Sequence, residues 1–373
     1  MKVYYEENDK ISYDVLRAFI KSNISVEKLV ESSYIQCDDL VFISKDTNVK
    51  FTNNTLVWES VLEYFYNYVI ILYNSNYDYY YLKNALKSTV KLNIDTLILG
   101  SSYACFGIEE TLMEINAINL SLPSQDLYYA NIIARYVCDK NKNIKRILIG
   151  TGYYSFYTDL SKTKNETEIR RVSDVYYPLF QDLHNCLILP NSHCQPDISN
   201  VYHITKIIDI ISEDIFEINN REYFCKGRER EKLKLCTWNN AKIEWKDVDV
   251  LQKIESGEKR ANNHNRNKNN EESYLENINH LNSFVKYCNQ RNIVVYMIAF
   301  PSTSYYKNYL NPDYNKKYKD ALNEIKGEIH LLDFNDLDIF CDDDFNDMDH
   351  LNKQGAEKLT LVLNEIISEE VNV

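Results

Sequence analysis

The sequence predicts an α/β protein, a three-layer sandwich with a central parallel sheet between two helical layers. Three observations predict it. Short runs of β-branched and leucine residues end in glycine or proline, helical stretches of ten to fifteen residues separate them, and an amphipathic helix closes the chain. Ile94–Leu99 is the first run and ends at Gly100; Ala117–Leu120 is the second. Residues 125–139 then place Leu127, Ala130, Ile133, Ala134 and Val137 at helical spacing. Arg146–Ile149 ends at Gly150, Ile293–Phe300 stops at Pro301, and Ile329–Leu332 precedes the closing helix, Lys353–Ile367.

Two regions depart from this alternation. Residues 1–90 mix helix-like and strand-like segments and read as an N-terminal accessory subdomain. Residues 91–373 read as the α/β domain, with 151–270 as a long insertion or cap within it. A structureless loop of that length does not suit a compact domain, so helices are expected inside it, for example around Val201–Phe216.

Composition narrows the function. The chain has 373 residues, 45% hydrophobic and 26% charged, in the range of globular proteins. A net charge of −13 disfavours phosphate backbones and anionic membranes as general partners, and the one basic stretch, 226–234, carries acids as well. The nine scattered cysteines form no CxxC pair and no zinc-like Cys/His spacing, which suits reduced thiols. The N-terminus shows no signal-peptide pattern, and the early apolar run Val61–Leu72 is too short to span a bilayer. A cytoplasmic location follows as an expectation. No P-loop or GxGxxG fingerprint supports a nucleotide cofactor.

In an open parallel sheet, ligands bind at the carboxyl ends of the strands, and two motifs lie there. Gly100-Ser101-Ser102-Tyr103 follows the first strand and opens a helix, so its serines read either as helix caps or as an exposed nucleophile. Asp347-Met348-Asp349-His350 precedes the last helix. It reads either as an acidic capping turn or as a histidine base whose tautomer Asp347 fixes. The neighbouring run Asp342-Asp343-Asp344 lacks the glycine and terminal glutamate of an EF-hand loop, so it reads as a solvated turn and no metal is expected.

Taken together, the motifs resemble the SGNH (GDSL-like) hydrolase superfamily over about residues 94–150 and 290–370. Gly100-Ser101-Ser102 corresponds to the family's Gly-Asp-Ser block, with serine for aspartate, and Asp347 with His350 corresponds to its Asp-x-x-His block. The resemblance implies Ser102 as nucleophile, His350 as base and Asp347 as orienter. It also implies an oxyanion hole from the backbone of Ser102, from Ser124 in place of the family's second-block glycine, and from Gly152. Gly152 stands where the family has an asparagine, so one side-chain donor is missing; Tyr153, Tyr154 or Gln125 are the candidates to replace it.

The set GSSY…NLSLPSQ…GTGYYSF…DxxH is similar to a branch associated with bacterial surface-polysaccharide modification. That likeness implies a serine-dependent O-acyltransferase (O-acetyltransferase) acting on a glycan, with a donor such as acetyl-CoA and no permanently bound cofactor. A carbohydrate esterase, a non-catalytic glycan-binding or assembly subunit, and a transferase of a phosphorus-containing group stand as alternatives. A homo-oligomer is compatible with any of them. Tyr103, Gln125, Tyr153, Tyr154, Arg260, His264 and Ser302 are the expected substrate contacts. Arg260–Asn265 reads as a polar loop, and Glu276, Asn277 and His280 read as solvent-facing on the helix that follows.

Overall fold

In the computed structural model, the described residues are 1–8, 11–31, 33–46, 55–61, 76–187, 244–335 and 337–371. The expected helix at Val201–Phe216, the basic stretch 226–234 and nearly all of Val61–Leu72 lie outside them. The chain divides into two compact units, the described residues of the first lying within Met1–Asn84 and those of the second from Ala85 onward.

The first unit holds a four-stranded, wholly parallel sheet in the order β2-β1-β3-β4: β1 (Lys2–Tyr5), β2 (Ser25–Lys28), β3 (Leu40–Ile43) and β4 (Thr55–Val57). Helix α1 (Tyr13–Phe19) connects β1 to β2. Alternation assigns the faces: Val3, Tyr5, Val26 and Phe42 pack with Leu16, Ile20 and Trp58, while Tyr4, Val41 and Ile43 pack on the other side. Strands of three or four residues explain why this region reads ambiguously from sequence.

The second unit carries the five-stranded sheet: β5 (Thr96–Gly100), β6 (Ala117–Asn119), β7 (Arg146–Thr151), β8 (Val294–Ala299) and β9 (His330–Asp333). All pairs are parallel, in the order β6-β5-β7-β8-β9. Each strand coincides with one of the five apolar runs to within about two residues. Further helices are α2 (Tyr77–Lys91), whose residues fall in both units, and, in the second unit, α3 (Ser102–Gly107), α4 (Leu127–Lys140), α5 (Val250–Asn265), α6 (Glu271–Asn289), α7 (Asp313–Asn323) and α8 (Lys353–Val371). Helices α4 and α6 pack together on one face, and α3 packs with α8 on the other. Leu359, Leu363 and Ile367 of α8 join Ile98, Leu148 and Ile298 of the sheet in one core. Among the described residues, no helix is long and apolar enough to cross a membrane.

Order 2-1-3-4-5 reverses between its first and third strands, here β5 and β7, and opens a crevice at their carboxyl ends. Two glycines make the seam tight. A Cβ on Gly100, whose φ is +113°, would lie 2.1 Å from the carbonyl oxygen of Gly150. One on Gly150 would lie 2.5 Å from the Cβ of Ala104 in α3. Gly100→Ala is therefore expected to cost about 3 kcal/mol or more, from left-handed backbone strain plus a clash with main chain that cannot step aside. Chemical denaturation checks this, and a loss below about 1 kcal/mol would mean the strands can part freely.

Candidate active site

Strand β5 delivers Ser101 and Ser102 to the crevice, and the two serines divide the work. Ser101 is the N-cap of α3, its side chain accepting from the Tyr103 amide. Capping thus falls to Ser101 and leaves the Ser102 hydroxyl for another partner. Ser102 Oγ lies 2.9 Å from His350 Nε2, and both residues are buried.

The histidine arrives on the loop before α8. Asp347 Oδ1 accepts the backbone N–H groups of Asp349 (2.9 Å) and His350 (2.8 Å), a local turn that fixes its carboxylate. Both Asp347 carboxylate oxygens stand 3.0 Å from His350 Nδ1. Thr303, just beyond β8, donates its N–H and its hydroxyl to the Met348 carbonyl and so ties this loop to the sheet. The structure therefore brings Ser102, His350 and Asp347 together in one line.

A second carboxylate joins them that the sequence did not single out. Asp349 Oδ1 is 3.2 Å from His350 Nδ1, while its Oδ2 accepts from the Tyr103 hydroxyl and from Arg260 Nε, each at 2.9 Å. Burial alone would lower the His350 pKa. Asp347 and Asp349 outweigh it and raise the imidazole to about 9. Burial works against the charge on Asp349 too, but His350 and Arg260 hold its carboxyl well below the usual range.

A cavity of about 370 Å³ opens in front of Ser102 and has a largely polar wall that includes Ser124, Tyr154, Asp159, Lys162, Arg260 and His264. Ser124 has φ +59°, the left-handed region that glycine favours, so serine adopts here the backbone expected of the residue it replaces. Among the described residues, no hydrogen bond occupies the amide N–H of Ser102 or of Ser124. The Gly152 N–H, by contrast, is given to Ser155 Oγ at 3.0 Å, so this member of the expected oxyanion hole is already engaged. A Cβ at Gly152 would also meet the rings of Tyr103 and Tyr154, each at 2.9 Å, leaving no room for an asparagine.

The other expected contacts separate into three groups. Arg260, His264 and Tyr154 line the cavity, and His264 stacks on Tyr154 at 3.8 Å between ring centroids. Arg260 and His264 belong to α5 rather than to a polar loop; burial among Ala261, Tyr154 and Tyr306 overrides the weak apolar signal of that stretch. Burial, then the adjacent Arg260, lowers the His264 pKa to about 3 and keeps its ring neutral.

Gln125 borders the cavity, yet its amide is spent on structure, accepting from Gly100 N at 2.8 Å and donating to the Leu120 carbonyl at 3.1 Å. Tyr103, Tyr153 and Ser302 line a separate cavity of about 250 Å³. There Tyr153 donates to Asp333, Ser302 donates to Asn335, and Tyr103 lies against His350 at 5.2 Å between ring centroids. Gln125 thus supports the wall of the Ser102 cavity, while Tyr103, Tyr153 and Ser302 line the adjoining one.

Two further expectations are corrected. The acidic run is not a solvated turn: Asp344 is buried and pairs with Lys358 at 2.9 Å, and Asp342 pairs with Lys253 at 2.7 Å. Asn277 does not face solvent either; it is buried and donates to the carbonyls of Phe156 and Thr158. As to metals, two groups of described residues place three donor atoms within 4.8 Å of one another: Asp347, Asp349 and His350, and separately His184, Glu276 and His280. In the first, Arg260 and the His350 imidazole already balance the carboxylates.

Comparison with known proteins adds little to this geometry. A family model bearing no description matches residues 248–372, about a third of the chain. No curated protein sequence matches significantly. Among solved structures, one described as "a putative platelet activating factor from Streptococcus pneumonia" is 10% identical, covering 83% of this chain and 98% of that one, with a TM-score of 0.36. That likeness is too slight to bear on fold or chemistry.

Proposed function

We propose that the chain is an SGNH-type serine enzyme that transfers an acyl group, such as acetyl, to a carbohydrate hydroxyl. The observation that carries this reading is the line Ser102 Oγ–His350 Nε2 (2.9 Å) and His350 Nδ1–Asp347 (3.0 Å) at the mouth of a polar cavity.

In the proposed reaction, Ser102 Oγ attacks the carbonyl carbon of an ester or thioester as its proton passes to His350 Nε2. The carbonyl π-electrons move to oxygen. The amides of Ser102 and Ser124 are the donors available to that oxyanion, and the guanidinium of Arg260 on the cavity wall supplies positive charge in place of the absent asparagine. Collapse of the tetrahedral species breaks the bond to the leaving alcohol or thiol, which takes the proton from His350. A sugar hydroxyl then gives its proton to His350 and attacks the acyl-serine, and Ser102 is regenerated as the ester forms.

Water in the acceptor's place makes the same site an esterase. The polar wall, with Asp159, Lys162, Arg260 and His264, suits a hydroxyl-rich acceptor better than a lipid tail. A cytoplasmic location would favour synthesis over hydrolysis.

A fluorophosphonate probe followed by peptide mass spectrometry tests the nucleophile. An adduct on Ser102 is expected, and it should be lost in His350→Ala. An adduct on any other residue, or none from protein that turns over acylated substrate, would refute the assignment. Incubation with acetyl-CoA and oligosaccharide separates the two outcomes by product, acetylated glycan from the transferase and free acetate from the esterase.

A further inference from the structure

Away from Ser102, the segment before residue 188 meets helix α6 in a cluster that the proposed reaction does not use. His184 sits at φ +50° with its side chain nearly buried, stacked on Tyr128 at 3.6 Å between ring centroids. Its Nε2 is 3.3 Å from Glu276 Oε1, and His280 Nε2, one helical turn further along α6, is 3.7 Å from the same oxygen. That His280 nitrogen is screened from water and makes no hydrogen bond. A buried polar atom left so is unfavourable, and a ligand at that point would satisfy it.

We propose that His184, Glu276 and His280 bind a divalent transition-metal ion of the zinc class. Tetrahedral bonds of about 2.0–2.2 Å put donor atoms roughly 3.3–3.6 Å apart, close to the two distances from Glu276 Oε1. Two imidazoles and one carboxylate suit zinc, cobalt or nickel and are a poor cage for magnesium or calcium.

The surroundings support the same reading. With Nε2 on the ion, His184 Nδ1 would carry the proton, and Asp159 Oδ1 (3.4 Å) and Ser161 Oγ (3.2 Å) stand on that side to accept it. A carboxylate behind a ligating imidazole fixes its tautomer and raises its basicity. Lys162 Nζ (3.1 Å) contacts the other oxygen of Glu276, while Asn185 Nδ2 reaches both of them, Oε1 at 3.2 Å and Oε2 at 3.0 Å. Asn185 Nδ2 also lies 3.1 Å from His184 Nε2, so a metal would have to displace the whole Asn185 amide from between the ligands, whereas Lys162 can remain. Asp159 and Lys162 also line the Ser102 cavity, so the ion would tether that wall to α6.

Glu276 and His280 share a helix face, but His184 comes from a distant segment, so spacing along the chain does not reveal the set. Full-length protein stripped with a chelator and titrated with zinc should bind one equivalent and melt at a higher temperature. Glu276→Gln and His280→Gln should each lose that binding and the thermal shift, and Asp159→Asn should weaken binding about 10–100-fold. His280→Gln guards against misfolding of a His184 variant, since His280 is partly exposed. Cobalt loading adds a spectroscopic reading, with ligand-field bands but no thiolate charge-transfer band expected. Failure of the wild type to bind zinc, binding unchanged in the Glu276 and His280 variants, or a thiolate band that puts the ion on cysteine would each overturn the site.

Discussion

Ser102→Ala should lower acyl-group turnover by about 10⁴–10⁶-fold, with His350→Ala falling in the same range and the double variant little worse than either. Non-additivity is the informative part. In the proposed reaction Ser102 and His350 share one proton transfer across 2.9 Å, so removing either partner would leave the other with nothing to do. What survives is the contribution of substrate binding and the oxyanion donors. The losses should appear in kcat with little change in KM, and both proteins should fold, since neither side chain is part of the aliphatic core. A Ser102→Ala protein that retained more than a tenth of wild-type turnover would sink the serine mechanism. Two variants whose losses multiplied in the double would show that the residues act separately.

The second large effect is on pH dependence. His350 accepts a proton only when neutral, and Asp347 and Asp349 raise its pKa to about 9 in the resting protein. Below that value the imidazolium dominates, so kcat/KM should climb roughly tenfold per pH unit and level off near pH 9. The linked stability runs the opposite way. A folded pKa above the unfolded one stabilises the protein fully below about 6.5, and that stability is lost as pH rises through about 9.

Asp349→Asn removes one of the two carboxylates that hold the imidazolium and leaves the Arg260 guanidinium, which Asp349 binds, without its countercharge. Both changes disfavour the imidazolium, and the midpoint of the pH profile should move down by a unit or more. The same substitution should destabilise the fold by about 2–4 kcal/mol, below the 3–5 of a fully buried broken pair because Arg260 is about one-third exposed. A pH–rate series with denaturation at matched pH measures both. An unmoved midpoint would mean Asp347 alone sets the histidine. Asp347→Asn should lower the midpoint as well, and comparing the two carboxylates shows how they share that task.

The sheet was legible for a physical reason. Parallel strands covered on both faces are nearly continuous apolar runs, and at two strand ends the glycines marked the places where β5, β7 and α3 come too close for a side chain. Asp347 and His350 were legible because three residues suffice for the loop to fold the ring back over the carboxylate. Asp349 was not. A carboxylate beside a histidine on a loop reads as exposed, and only Arg260 and Tyr103, distant in sequence, explain why it is buried and charged.

Helix α5 was misread for a related reason. Its buried residues are Lys253, Gly257, Ala261 and His264, of which only Ala261 is a conventional core residue. The N-terminal sheet escaped because its strands are short and its apolar residues alternate between two small cores. Asn277 was assigned to solvent because an amide amid charges looks exposed, whereas it is buried and donates to the carbonyls of Phe156 and Thr158.

The glycine seam between β5 and β7 bears on how such a protein can diversify. In the proposed enzyme the Ser102 hydroxyl is aimed by two bare backbones, which leave few options for substitution, while selectivity would fall to side chains such as Lys162, Thr163 and Glu168 on the surrounding wall. The aiming device and the selective surface therefore share almost no atoms. New acceptors could be explored by exchanging wall residues while the attack geometry is inherited intact.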